Sequence, residues 1–237
     1  MKPVVCNSLV GVVKPSVAAA TRRPRDLGRQ AASELLVAEL KNEILDGSLR
    51  PGQSLREVDL CEQFGVARNT VREALRLLTR DGLGTHEVHR GVTVRMVSPA
   101  EVLDIFEFRA LIEESVARRA GTLTSEEIER LEAALSDSEH AFSQGDSKSG
   151  TNGNLAFHRE LVSLIGNTRI DNTFVQLLTE TRLIHASMEE RAGGHWIKRN
   201  RELLGNLVAG QGEAFRANLA EYINIAVEEA TGSLPRQ

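Results

Sequence analysis

Apolar residues recur at helical spacing from Leu36 and Val37 through Leu40 to Ile44. This predicts a helix from Ser33 to about Asp46, closed by Gly47. Pro51-Gly52 marks a turn. Leu55 to Phe64 reads as a second helix with Val58, Leu60 and Phe64 inward, and Gly65-Val66-Ala67 breaks it. Arg68 to Arg80 reads as a third helix, carried by Val71, Ala74, Leu75 and Leu78 and ended by Asp81-Gly82. The period then shortens. Gly84–His86 and Val92–Val97 are β-prone around Val88-His89-Arg90-Gly91, which reads as a hairpin. Helix, helix, glycine turn, helix and a two-stranded wing make a winged helix-turn-helix.

Beyond residue 97 no strand pattern appears. Ser98-Pro99-Ala100-Glu101 combines an N-cap serine, an N1 proline and an N3 glutamate. It opens a helix to about Ala120. Thr124-Ser125-Glu126-Glu127 is a second capping box, opening a helix to about Gln144, and Gly145–Gly153 reads as a polar loop. Four more helices fit Asn154–Ile165, Arg169–Arg191, Trp196–Ala209 and Glu213–Ala230. The predicted fold class is therefore mainly α: an N-terminal winged helix-turn-helix plus a C-terminal all-α bundle of six antiparallel helices. The expected division is an arm at 1–28, a winged helix at 29–97, a helical effector and dimerisation domain at 98–231, and a tail at 232–237. A bundle core is a common place for a small-molecule site.

Composition narrows the function classes. With 237 residues, 41% apolar and 26% charged, the chain can build two cores. Aromatics at 4% leave little for the stacking platforms of single-strand binders. Cys6 and Cys61 cannot supply a disulfide scaffold or a cysteine zinc site, which fits a cytoplasmic protein. No apolar run of about 18 residues is present, so no membrane span is expected. Met1–Arg25 superficially resembles an export signal, but Lys14-Pro15 interrupts its short apolar stretch, and a mobile basic arm is expected instead. Residues 1–97 carry 15 Lys and Arg against 11 Asp and Glu, a net +4, whereas residues 98–237 carry −8. Phosphate belongs with the first half.

The third helix carries chemistry that suits double-stranded DNA. Arg68, Arg72 and Arg76 recur every fourth residue, opposite the apolar stripe. Asn69 and Thr70 fall in the first turn, where a recognition helix reaches base edges. Arginine can pair bidentately with guanine and asparagine with adenine. Arg56 would touch phosphate at the start of the second helix, and His89, Arg90 and Gly91 form the wing tip. An ordinary solvated face is the competing reading for Arg76 and Arg80, where cations also favour the helix C-terminus.

The stretch Pro51-Gly52-Gln53-Ser54-Leu55-Arg56-Glu57, with Phe64-Gly65-Val66-Ala67-Arg68-Asn69-Thr70-Val71-Arg72-Glu73-Ala74-Leu75, resembles the GntR family of bacterial transcription regulators. The resemblance covers about residues 30–97. It implies that Arg56, Arg68, Arg72 and Gly91 carry operator contact. The chain has Ala67-Arg68-Asn69-Thr70 where the family usually has Ser-Arg-Thr-Pro, so a different sequence preference is expected. Glu107-Phe108-Arg109, Phe157-His158-Arg159-Glu160-Leu161 and Gly166-Asn167 resemble the FCD effector domain of the FadR branch, over about residues 99–231.

That resemblance implies a divalent metal held by one Asp and three His. Here Asn154 stands in the Asp position, His158 is retained, and Asn200 and Tyr222 take the other two. Amide and phenol are poor ligands at neutral pH, so the expectation is no metal and no other cofactor. His158 is read either as a buried histidine bonded to Asn154 or Tyr222, or as a ligand-facing donor. Arg109 is expected to meet an effector carboxylate, against the alternative of a surface pair with Glu113. Arg109, Asn154, His158, Asn200 and Tyr222 are thus the candidate effector residues, and the effector is expected to be an organic acid.

The sequence reads as a homodimeric, cytoplasmic, effector-controlled regulator that represses from a palindromic DNA operator. A metal-dependent regulator of the same type is the alternative. An enzyme is disfavoured, because no nucleophile elbow, HExxH or phosphate-binding glycine loop occurs.

Overall fold

The computed structural model describes residues 27–88, 90–188 and 194–234. Helix α1 (Leu27–Leu45) leads into strand β1 (Ser54–Leu55), α2 (Glu57–Phe64) and α3 (Arg68–Arg80), followed by β2 (Gly84–Glu87) and β3 (Gly91–Val94). The strands form one antiparallel sheet in the order β1-β3-β2, with Thr93 opposite both Ser54 and Thr85. Leu36, Leu40, Ile44, Leu60, Val71, Leu75, Leu78, Leu83 and Val94 bury the core of this unit. Gly65 takes φ +63° between α2 and α3, a left-handed conformation that suits glycine.

Three local expectations change here. Ser33 does not cap α1; the helix starts at least six residues earlier, and Ser33 is buried inside it. Leu55 is not helical but buries its side chain from β1, giving the wing a third strand. Val58, expected inward, is 67% exposed, because α2 buries Leu60 and residues two apart on a helix do not share a face.

The second unit comprises α4 (Pro99–Glu114), a 3₁₀ turn (Ser115–Arg119), α5 (Ser125–Ser143), α6 (Ser147–Ser163), α7 (Thr168–Ala186), α8 (Gly194–Val208) and α9 (Gly212–Ser233). Both capping boxes form: Ser98 Oγ accepts from the Glu101 amide at 3.3 Å, and Thr124 Oγ1 from Glu127 at 3.2 Å. Gly145–Gly153, read as a loop, is mostly the opening of α6, capped by Asp146, whose carboxylate accepts from the Ser149 amide at 2.9 Å. Its glycines serve close packing against α5. A Cβ on Gly153 would lie 2.7 Å from the Cα of Ser138, and one on Gly150 2.6 Å from the Phe142 ring.

Arg95 ties the winged helix to the bundle. Its guanidinium donates to the Gly82 carbonyl at 3.2 Å, to Glu101 at 2.7 Å and to Glu180 on α7 at 3.4 Å. Lys148 on α6 adds an ion pair to Asp46, at the end of α1, at 3.0 Å. The short stretch after β3 is therefore pinned at both sides.

Candidate nucleic-acid interface and effector cluster

Amphipathic α3 buries Val71, Ala74, Leu75 and Leu78 and presents Arg68, Asn69, Arg72 and Arg76 to solvent. Glu57, in the first turn of α2, binds both leading arginines: its Oε2 lies 2.6 Å from Arg68 Nε and its Oε1 2.9 Å from Arg72 Nε. These hydrogen bonds hold the Glu57 carboxyl below the usual carboxylate range. Arg76 pairs instead with Glu73, at 2.6 Å. Arg56 is exposed, as are Arg90 and Gly91 at the wing. Arg90 pairs with Glu87 at 3.3 Å, and Gly91 takes φ +81°, which makes the turn. His89 lies outside the described residues. Thr70 departs from expectation: it is buried beside Val71, so its side chain faces the core and not a base edge. Being next to the apolar seam at Val71 and Ala74 puts it on the inner face.

In the bundle, five candidates from four helices lie in one buried cluster: Arg109 from α4, Asn154 and His158 from α6, Asn200 from α8 and Tyr222 from α9. Asn154 and His158 share a face because they are one turn apart. Asn154 Nδ2 donates to the Tyr222 hydroxyl at 3.2 Å, and Asn200 Nδ2 donates to Asn154 Oδ1 at 2.5 Å. The His158 and Tyr222 rings lie 4.8 Å apart and Tyr222 lies 4.7 Å from Trp196, so an aromatic wall runs beside the amides. Burial pushes the Tyr222 phenol up to about 12.

Sequence reasoning did not place Glu113 in this cluster. Arg109 and Glu113 do pair at i, i+4, but at 1% and 0% exposure, not on the surface. Arg109 Nε donates to Glu113 Oε1 at 2.9 Å. His158 Nδ1 lies 2.7 Å from Glu113 Oε2, so neither Asn154 nor Tyr222 is its bonding partner. The carboxylate expected from an effector is thus matched by one that the chain supplies. Burial opposes charge on Glu113, but the contacts with His158 and Arg109 outweigh it and hold the carboxyl below its ordinary value. Burial lowers the His158 pKa, with Arg109 adding to the effect against the pull of Glu113. An ionised carboxylate only accepts, so His158 Nδ1 carries the proton and Nε2 is left as an acceptor. His185 on α7 is likewise pushed down to about 4, by burial and then by Arg109 and His158.

The donor set does not suit the divalent ion that the resemblance implies. Among the described residues no three His, Cys, Asp or Glu side chains converge. The Asn154 oxygen is taken by Asn200, and a guanidinium already places a positive charge in the cluster. On α7, Thr173 is exposed and donates to its own helix at Arg169 O, 2.9 Å away. Phe106, Phe157, Phe174 and Phe215 are buried, whereas Phe108 is 43% exposed.

Comparison with known proteins fits this geometry. Residues 32–94 match the model of bacterial regulatory proteins of the gntR family, and residues 104–224, just over half of the chain, match the FCD domain. The chain belongs to the GntR family, with an FCD domain. It is 31% identical over 136 residues to the HTH-type transcriptional regulator YdhC of Bacillus subtilis, covering 56% of this chain and 61% of that protein. It thus spans about three fifths of that relative's length. A D-xylose utilization operon transcriptional repressor of Paenarthrobacter nicotinovorans, named as probable, is 24% identical over 187 residues, covering 76% of this chain and 80% of that one. The crystal structure of a GntR regulator from Rhodococcus sp. RHA1 superposes with a TM-score of 0.78 at 29% identity, covering 86% of this chain and 100% of the other.

Proposed function

We propose that this GntR-family chain is a transcription regulator that binds double-stranded DNA through α3 and the wing, and that a small molecule in the FCD bundle controls it. The observation that carries the reading is the exposed set Arg68, Asn69 and Arg72 on one face of the α3 N-terminus, opposite the buried seam of Val71, Ala74, Leu75 and Leu78. Two-fold pairing of such helices calls for a palindromic operator, so the active species is a homodimer. Repression is the mode suggested by the name of the related D-xylose operon repressor, and release by the effector is the control that goes with it here. The chain works in the cytoplasm, carries no resident divalent metal and catalyses no reaction. The cluster around Glu113 supports the metal-free reading, because an arginine replaces the cation.

An effector can act only through different affinities for the two dimer arrangements. Arg95, bonded to the winged helix at Gly82 and to α7 at Glu180, supports a route between them. Selection of sheared genomic DNA on the purified protein tests the function. Enrichment of a short palindrome is expected; retention without sequence preference at any salt concentration would overturn it. Near-stoichiometric zinc that is lost in His158→Ala would overturn the metal-free reading.

A further inference from the structure

Three buried polar atoms of the cluster have no hydrogen-bond partner: Arg109 Nη2, His158 Nε2 and Asn200 Oδ1. Unpaired polar atoms in a protein interior cost about 1–3 kcal/mol each, so three in one cluster call for a ligand to satisfy them. Their chemistry is fixed by their neighbours. Arg109 Nη2 can only donate. Asn200 has turned its amide nitrogen to Asn154, so Oδ1 accepts. His158 has committed Nδ1–H to Glu113, so Nε2 accepts. The charge is fixed too, since Glu113 already balances Arg109 at 2.9 Å.

We infer that this cluster takes a small ligand of zero net charge, without a metal ion, in which a carbonyl or carboxylate acceptor meets Arg109 Nη2 and an adjacent N–H or O–H donor meets His158 Nε2 and Asn200 Oδ1. The inference rests on the effector reading above and replaces the expected simple organic acid with an amino-acid zwitterion or a neutral amide. A plain monocarboxylate would bring an unbalanced charge into a closed site and leave both acceptors unpaired. A divalent ion would face the Arg109 charge, and among the described residues no group of three His, Cys, Asp or Glu side chains is placed to hold it.

The test uses the full-length protein with isotope-labelled histidine, whose ring nitrogens report protonation and contact by NMR. His158 is identified by its loss in His158→Gln. The expected spectrum has Nδ1 protonated and Nε2 unprotonated; the reverse tautomer would overturn the donor pattern. The protein is then titrated with four matched probes, 2-aminobutyrate, butyramide, butyrate and butylammonium, and separately with zinc chloride. The first two should shift the His158 Nε2 signal with affinities about tenfold or more above those of butyrate and butylammonium, one decade being about 1.4 kcal/mol. Zinc should leave the signal in place. Tighter binding of butyrate, or a zinc-dependent shift, overturns the charge class while leaving an effector site in the bundle. No shift with any probe overturns the ligand assignment itself, and operator selection, which is read on DNA and not on the His158 signal, still reports separately on the regulator reading.

Discussion

Arg109 and Glu113 stand one turn apart on α4 and form an ion pair of 2.9 Å that is closed to solvent. Each charge is buried only because the other is present. Glu113→Ala should therefore destabilise the protein by about 3–5 kcal/mol, whereas replacing both together, as Arg109→Met with Glu113→Leu, should cost less, the remainder being the His158 Nδ1–H left without its acceptor. Urea denaturation of the two singles and the double gives the coupling. Equal losses in Glu113→Ala and the double variant would mean that the burial of an unpaired charge is not the cause.

Glu57 holds Arg68 and Arg72 as a fixed pair, and its contacts are largely exposed. Such surface pairs contribute under about 1 kcal/mol to stability, so Glu57→Gln should fold normally. Freed from the carboxylate, the arginines should bind phosphate more indiscriminately. Affinity for scrambled duplex is expected to rise while preference for the selected site falls. Gel-shift titrations on both duplexes check this, and unchanged preference would assign Glu57 a purely structural role.

Gly153 packs where α5 and α6 come closest. An alanine there would put Cβ 2.7 Å from the Ser138 Cα, which is backbone and cannot rotate away. Gly153→Ala should cost about 1–3 kcal/mol, as overpacking does, despite the better helix propensity of alanine. Thermal unfolding measures it. A gain in stability would show that the helices separate without penalty.

Glu101 joins the units through Arg95 and caps α4 at Ser98, and the Arg95 hydrogen bond leads in lowering its pKa from 4.5 to about 2. A carboxylate with a depressed folded-state pKa contributes stability above its unfolded value and loses it as pH falls through the folded value. The deficit of Glu101→Gln relative to the parent protein should thus be full at pH 7, shrink below about 4.5 and vanish near 2. Denaturant midpoints across that range test this, and a pH-independent difference would contradict it.

Helices with strong punctuation were legible in the sequence. Ser98-Pro99 and Thr124-Ser125 fixed their helix starts because capping is a local interaction. The first turns of α6 were not legible, since Gly150 and Gly153 lower helix propensity and are justified only by α5, a tertiary partner. Strand β1 was hidden for the same reason: two residues carry no period, and only β3 makes them a strand. The candidate effector residues could be gathered from spacing and family resemblance, but Glu113 could not. Its i, i+4 relation to Arg109 is the one local signal, and it looks the same whether the pair faces water or the core. The inward turn of Thr70 followed from the register of α3, since Val71 beside it and Ala74 one turn on lie on the buried seam.

In the function proposed for this chain, α3 reads DNA sequence. Its most direct test is the affinity of the full-length protein for the selected duplex and for a scrambled one, over a series of salt concentrations. Arg72→Ala is expected to lose about 1–3 kcal/mol on the selected duplex and much less on the scrambled one. Arg56→Ala should weaken both alike and flatten the salt slope by about 0.9. Equal losses on both duplexes in Arg72→Ala would contradict the account, since the α3 arginines would then be phosphate contacts only.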